Sequence, residues 1–211
     1  MNLTTQLKEF AAASVKRHPG VAQDTMKQAI DSLVASEMIE KAFKTGDQLP
    51  DITLGNALGN EVRINEILKE HKVIIAFYRG NWCPYCNIQL RALQQAVPLF
   101  EAKGAKLVII GPETPDNSLT TKQKNELTFE VVSDIDMIVA RSMNLVYKLP
   151  TALQELYKKF GIDLATNQGN GNQELPIAAT YVVEQDGTIS YHFLEEDYKL
   201  RADPQDILNA L

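Results

Sequence analysis

The only two cysteines of the chain lie three residues apart, as Cys83 and Cys86, within the segment FYRGNWCPYC of residues 77–86. An apolar run at residues 73–77 comes just before them, and a helical pattern follows. A Cys-x-x-Cys pair where a strand meets a helix is typical of sites that form and break a disulfide. The sequence therefore predicts redox chemistry at Cys83 and Cys86.

The start of the helix gives the two sulfurs different expected roles. Pro84 suits the first helical position, because its fixed φ fits the helix and its missing N–H would have no partner there. Cys83 would then be the N-cap, where a thiolate accepts free N–H groups at the positive end of the helix dipole. Thiols in such settings have pKa values of about 3.5 to 7.5, against about 8.5 for a free cysteine. We therefore predict that Cys83 is the attacking thiol in disulfide exchange.

Cys86 is expected to be the more buried sulfur. It begins a stripe with the spacing of a helix face that packs against a core. The stripe consists of Cys86, Leu90, Leu93, Val97 and Phe100. We predict that Cys86 resolves the mixed disulfide formed on Cys83.

Three other interpretations of the cysteines compete with a redox pair. Free cysteines are often inert core residues. A zinc site would need nitrogen ligands, but His18, His71 and His192 are far apart in the sequence and complete no tetrahedral set. A purely structural disulfide is disfavoured, because closing so short a loop removes little chain entropy. The sequence thus predicts no metal and no cofactor.

Two neighbours of the pair are candidate substrate-binding residues. Arg79 could hold a thiolate or a substrate anion, or it could be a solvated charge at the end of a strand. Trp82 is expected to be a hydrophobic lid beside the site. His192 is predicted to lie on a strand remote from the pair.

The remaining pattern predicts an α/β fold with an extension at its start. Residues 1–44 are interpreted as an N-terminal helical extension, broken at residues 18–20, and residues 45–211 as a thioredoxin-like domain of alternating strands and helices. The second helix of the extension carries an apolar stripe that must be covered by the main domain or by a second subunit. A homodimer is therefore one of the assemblies that the sequence allows.

The amino-acid composition limits the classes of binding partner and the cellular locations that are expected for this protein. The 211 residues carry a net charge of −6 and no Lys/Arg cluster, which argues against a nucleic-acid surface. The chain shows neither a signal-peptide pattern nor an apolar stretch of about 18 residues. The expected location is a reducing cytoplasm, where a Cys pair is more often catalytic than structural.

Four segments, at residues 46–54, 77–86, 179–183 and 197–204, resemble the peroxiredoxin-like branch of the alkyl hydroperoxide reductase and thiol-specific antioxidant (AhpC/TSA) family. The resemblance implies a three-layer thioredoxin-like sandwich of the peroxiredoxin type over residues 45–211. It also implies hydroperoxide reduction by a cysteine at the position of Cys86. Peroxiredoxins place Pro where Arg79 stands, Thr or Ser where Cys83 stands, and a further Arg near Ala178, where this chain has none.

Three functions are thus in competition. The first is an antioxidant thiol peroxidase, in which Cys83 and Cys86 reduce hydroperoxides and a thioredoxin-, glutaredoxin- or glutathione-type thiol resets the pair. The second is a thiol–disulfide oxidoreductase acting on protein or glutathione disulfides. The third is a redox-gated binding module, suggested by the amphipathic extension.

Overall fold

A sheet of seven strands, most of them strongly hydrophobic, forms the centre of the protein, which a computed structural model describes for residues 2–211. Two further short strands, β6 and β7, pair with each other apart from this sheet. The strands are β1 (Thr53–Asn56), β2 (Glu61–Arg63), β3 (Lys72–Phe77), β4 (Ala105–Gly111), β5 (Glu130–Ser133), β6 (Val146–Lys148), β7 (Glu174–Pro176), β8 (Ala178–Val183) and β9 (Ile189–Glu195).

The main sheet mixes parallel and antiparallel pairs in the order β2-β1-β5-β4-β3-β8-β9. Strand β4 runs parallel to both β3 and β5, while β1, β8 and β9 are antiparallel to their neighbours. Parallel central strands need crossover connections, and helices supply them here. The strand that leads to the two cysteines, β3, therefore lies in the interior of the sheet between β4 and β8.

Helices cover both faces of this sheet. The α-helices are α1 (Leu3–Arg17), α2 (Val21–Ala35), α3 (Met38–Lys41), α4 (Ile64–Leu68), α5 (Pro84–Ala102), α6 (Pro115–Lys124), α7 (Ile138–Ser142), α8 (Thr151–Lys159), α9 (Leu164–Gln168) and α10 (Pro204–Ala210). A short 3₁₀ turn (Ile135–Met137) comes before α7. The predicted α/β sandwich with helices before the sheet is confirmed.

The alternation of side chains along β3 divides the core into two. Ile74 and Ala76 pack into the cluster that contains both cysteines and the buried face of α5. Val73, Ile75 and Phe77 pack into a second cluster on the opposite face. Every residue of β3 from Val73 to Phe77 is at most 2% exposed, so the backbone before the cysteines is fixed from both sides.

The N-terminal helices pack against the rest of the chain. Helix α1 contacts α5 and buries Leu3 and Leu7 in the cluster of the cysteines. Helix α2 contacts α8, and Leu33 near its end is buried in the second cluster. Met38 and Ile39 pack against that same cluster. These contacts cover most of the apolar stripe without a second chain.

The structure departs from the sequence prediction between residues 144 and 176. The sequence does not predict the short strands β6 and β7. Each of these strands has only three residues, which is too short for the alternation of apolar and polar residues that identifies a strand in a sequence. Among residues 2–211, no helix is both long enough and apolar enough to cross a membrane.

Candidate functional site

The two cysteines lie at the entrance of α5, as the sequence predicts. Helix α5 begins at Pro84, and Cys83 is its N-cap, with φ −86° and ψ 109°. Cys86 lies in the first turn, and the Cys83 thiol donates a hydrogen bond to its sulfur. Both cysteines are free thiols. The two sulfurs are therefore close enough to interact directly.

Their environments differ from the predicted ones. The Cys83 side chain makes no capping hydrogen bond with the helix. Cys83 is 1% exposed and Cys86 is 0% exposed, so burial does not distinguish the two sulfurs. The predicted difference in burial between Cys83 and the more buried Cys86 is therefore very small, because both cysteines belong to one buried cluster together with Leu3 and Leu7 of α1.

Cys86 is the sulfur that the protein surrounds with donors. The backbone N–H of Arg79 lies 3.5 Å from its Sγ, and Nη2 of Arg201 lies 3.4 Å from the same atom. The Cys83 thiol adds the third donor. Three donors around one sulfur, one of them cationic, are an arrangement that holds a thiolate.

The pKa values follow this asymmetry. Burial works against ionisation of Cys86, but the hydrogen bond from Cys83 and the charges of Arg201 and Arg79 bring its pKa well below the ordinary value. Burial and the neighbouring Cys86 sulfur raise the pKa of Cys83 well above the ordinary value, and the same two cations only partly offset this. The prediction that Cys83 carries the low pKa is therefore wrong. These directions favour Cys86, rather than Cys83, as the thiolate of the reduced pair.

Arg79 is buried beside the pair and is not a solvated charge. It is 2% exposed, and its Nη1 lies 3.8 Å from Sγ of Cys83. Nη2 donates to the hydroxyl of Tyr157, and the guanidinium carbon lies 4.3 Å from the ring centroid of Tyr198 and 5.0 Å from that of Trp82. Aromatic faces stabilise a buried cation of this kind.

Arg201 is a site residue that sequence reasoning did not identify. It is 5% exposed, and its Nη1 donates to the backbone carbonyl oxygens of Leu200 and Tyr198. These bonds hold the guanidinium in the segment before α10, from which Nη2 reaches Cys86. The only signal in the sequence was its place in the tail segment of the family resemblance.

A buried carboxyl group fixes the loop between β3 and α5. Glu113 is 0% exposed and accepts hydrogen bonds from the Tyr78 hydroxyl at 2.7 Å and the Asn81 N–H at 2.9 Å. Burial raises the pKa of Glu113, and the donors around it moderate the shift. Gly80 adopts φ +143°, and a Cβ there would collide with Trp82 and with the Glu113 carboxyl group. This packing requires glycine at position 80.

A cavity of about 470 Å³ opens onto Cys83 but not onto Cys86. Trp82 forms part of its wall, with its ring centroid 5.4 Å from that of Tyr157. A second cavity of about 520 Å³ is lined by neither cysteine. The first cavity consequently provides the approach to the redox pair, with Trp82 beside it.

His192 lies elsewhere, where its Nδ1 is 2.8 Å from the hydroxyl of Thr45. Among residues 2–211, no group of three His, Cys, Asp or Glu side chains is arranged to hold a metal ion.

Comparisons with known proteins agree with this architecture. The model of the AhpC/TSA family matches residues 45–192. The chain is 28% identical over 103 residues to "Putative peroxiredoxin bcp" of Buchnera aphidicola subsp. Schizaphis graminum, which covers 49% of this chain and 65% of that protein. It is 29% identical over 144 residues to "Putative peroxiredoxin MT2597" of Mycobacterium tuberculosis (strain CDC 1551 / Oshkosh), covering 68% of this chain and 80% of the other.

The solved structures agree on the fold. The crystal structure of the peroxidoxin BcpB from Mycobacterium tuberculosis superposes with a TM-score of 0.63, covering 80% of this chain and 96% of that one. The sequence identity is 17%, so the likeness concerns the fold and not the chemistry of the site. Residues 2–44, which include α1 and α2, lie before the region that the family model matches.

Proposed function

This chain belongs to the AhpC/TSA family, and from that premise we propose that it is a thiol peroxidase in which Cys86 attacks the hydroperoxide and Cys83 resolves the product. The observation that carries the proposal is the set of donors around Cys86: Nη2 of Arg201 lies 3.4 Å from its sulfur, and the backbone nitrogen of Arg79 lies 3.5 Å from it. The hydrogen bond from Cys83 and the charges of Arg201 and Arg79 lower the pKa of Cys86 well below the ordinary value. The thiolate is the nucleophilic form of cysteine.

The first chemical step would oxidise Cys86. Its thiolate attacks the terminal oxygen of the hydroperoxide, the O–O bond breaks, and the alkoxide takes a proton and leaves as an alcohol. Cys86 becomes a sulfenic acid. Nε of Arg79 and Nε of Arg201 are buried and have no hydrogen-bond partner within residues 2–211. In this proposal the two donors bind the peroxide oxygens, in place of the Thr and the strand Arg of peroxiredoxins.

The second step would close the pair. The Cys83 sulfur attacks the sulfenic sulfur of Cys86, an S–S bond forms, and the hydroxide leaves as water with the proton of Cys83. Two equivalents of an external thiol then restore the dithiol and leave as their own disulfide. The direct contact between the two side chains supports this closure without a large movement.

The test is stopped-flow oxidation of the reduced protein by hydrogen peroxide and by cumene hydroperoxide. Cys86→Ser is expected to abolish rapid oxidation. Cys83→Ser should retain the first step and accumulate a sulfenic acid that a dimedone probe traps. Because the chain contains no other cysteine, each variant serves as the control for the other. Rapid oxidation of Cys86→Ser with loss of oxidation in Cys83→Ser would reverse the assignment.

The second candidate is a thiol–disulfide oxidoreductase, favoured by the cavity that opens onto Cys83. Slow oxidation by both peroxides, together with rapid reduction of a protein disulfide, would establish it in place of the peroxidase. Three further points stay predictions from the sequence: the cytoplasmic location, the boundary between the N-terminal extension and the main domain at residue 44, and a homodimer.

A further inference from the structure

We propose that the cavity above Cys83 binds a small thiol that carries a carboxylate, and that the thiol attacks Cys83 of the oxidised pair. The inference rests on the proposed function, since it requires the Cys83–Cys86 disulfide. It identifies the chemical class of the reductant and the sulfur that it attacks. It also gives the N-terminal helices a role in the chemistry.

Access to the sulfurs favours a small molecule. Cys83 is 1% exposed and Cys86 is 0% exposed, so neither forms part of an open protein surface. The sulfur of Cys83 is reached through the cavity of about 470 Å³, a volume within the usual range for small ligands. A protein reductant carries its thiol on a folded surface and would have to displace the cavity walls to reach Cys83.

Part of the wall of this cavity is formed by residues that lie before residues 45–192, the region that the family model matches. Phe10 and Arg17 of α1 and Met26 of α2 line the cavity on one side. Phe10 packs edge-on against Tyr85 at 5.1 Å between ring centroids. The N-terminal helices thus help to enclose the cavity, and its apolar surfaces can contact the carbon skeleton of a ligand.

The charge of the cavity favours an anion. Arg17, His18 and Lys159 line it together with Arg79, whereas no Asp or Glu does. Within residues 2–211, neither Arg17 nor Lys159 forms an ion pair; the Arg17 guanidinium instead lies 4.8 Å from the ring centroid of Phe10. Cationic donors without a carboxylate partner can bind the carboxylate of a ligand.

One buried donor strengthens the case for a ligand with acceptor oxygens. Nε of Arg79 is buried without a hydrogen-bond partner in residues 2–211, and the Arg79 side chain lines this cavity. A buried donor without a partner is destabilising, so an acceptor supplied by a ligand would be favoured. Carboxylate or amide oxygens on the thiol compound meet this need.

The different surroundings of Cys83 and Cys86 determine which sulfur of the disulfide the small thiol attacks. The incoming thiolate bonds to Sγ of Cys83, the Cys83–Cys86 bond breaks, and Cys86 leaves as a thiolate that Arg201 stabilises. A thiol of low pKa is the better leaving group. A second thiolate then attacks the sulfur of the bound small thiol in the mixed disulfide. The products are the disulfide of the small thiol and a Cys83 thiolate, which takes up a proton.

The test measures reduction of protein that diamide, rather than a peroxide, has oxidised to the disulfide. The probes are N-acetylcysteine, which carries a carboxylate, and its neutral amide. The variant Arg17→Gln/Lys159→Gln should react with N-acetylcysteine about 2–10-fold more slowly than the wild type and with the amide at an unchanged rate. Lys8→Gln, which removes an exposed charge from α1 outside the cavity, should leave both rates unchanged.

Comparing each variant with the wild type separately for each thiol cancels the different intrinsic reactivities of the probes. Equal slowing with both probes, or faster reduction by thioredoxin than by N-acetylcysteine at the same concentration, would overturn the inference. Protein that forms no Cys83–Cys86 disulfide with diamide would instead refute the redox pair of the proposed function. The two failures are therefore distinguishable.

Discussion

At the residue scale, the hydrogen bond between the two thiols and the charges of two buried cations favour Cys86 as the ionised sulfur. Arg79 lies against Cys83, whereas Arg201 and the backbone N–H of Arg79 lie against Cys86. The Cys83 thiol also gives its hydrogen bond to Cys86. The two thiols are almost equally buried, but the hydrogen bond from Cys83 and the contact with Arg201 give Cys86 the lower pKa. This difference in pKa is what allows one cysteine to be the nucleophile and the other to resolve.

Replacing Arg201 with Met should remove the cation from Cys86 while keeping an apolar side chain in the buried site. The pKa of Cys86 is then expected to rise, so the thiolate that the wild type retains as the pH falls towards 7 would be protonated. If the pKa returns to about 8.5, the rate of oxidation by hydrogen peroxide at pH 7 should fall about 10-fold or more and recover at higher pH. Stopped-flow oxidation across a pH series measures both effects.

Lys199→Met is the matched control, since Lys199 is a cation two residues away that pairs with Asp197 at 3.2 Å. Its pH–rate profile should coincide with that of the wild type. An Arg201→Met profile with reduced rates but an unchanged midpoint would show that Arg201 binds the peroxide without setting the ionisation of Cys86.

At the element scale, α1 stabilises the helix that carries the cysteines. Leu3 and Leu7 are 2% and 3% exposed and pack into the same cluster as Leu90 and Leu93 of α5. An extension of the chain outside the matched family region therefore contributes to the core around the site. We expect the loss of this packing to affect both stability and access to Cys83.

Leu7→Ala should lower the free energy of unfolding by about 2–5 kcal/mol, because it leaves a cavity in a buried cluster. Urea unfolding monitored by circular dichroism measures this loss. Val15→Ala on the same helix is the matched control, since Val15 is 52% exposed, and its change should be about 0.5 kcal/mol or less. Similar losses for both variants would mean that α1 does not pack on α5 in solution.

At the scale of the whole molecule, the charge balance favours the reduced state. In the reduced protein the Cys86 thiolate lies beside the buried cations Arg201 and Arg79. Disulfide formation removes this negative charge and leaves the two cations without it. A disulfide across so short a loop gains little chain entropy in return. Proteins whose reduced state is stabilised in this way are strong oxidants.

The reduced protein should therefore unfold with a free energy about 1–3 kcal/mol larger than that of the oxidised protein, the size of a charged hydrogen bond. The potential of the pair should consequently be less negative than the roughly −270 mV of thioredoxin. Equilibration in glutathione redox buffers and paired urea titrations measure the two quantities. Cys83→Ser, which cannot form the disulfide, should unfold identically in both buffers, and a more stable oxidised protein would contradict the expectation.

The sequence by itself determined the features that depend on local chemistry. Pro84 fixes the start of α5, and Cys83 and Cys86 follow from it as N-cap and first-turn residues. The apolar run before them makes β3 a buried strand. These features require only backbone preferences and the period of hydrophobic residues, which a chain shows before it folds.

Only the tertiary structure decided the electrostatics of the pair. Arg201 is 115 residues from Cys86 in the chain and reaches its sulfur through the segment before α10. Glu113 reaches the loop at Asn81 from beyond the end of β4. The N-cap argument assigned the low pKa to Cys83, because a local pattern contains neither burial nor distant charges. Both depend on how the whole chain packs. Burial opposes the ionisation of both thiols, whereas the hydrogen bond from Cys83 and the charge of Arg201 lower the pKa of Cys86.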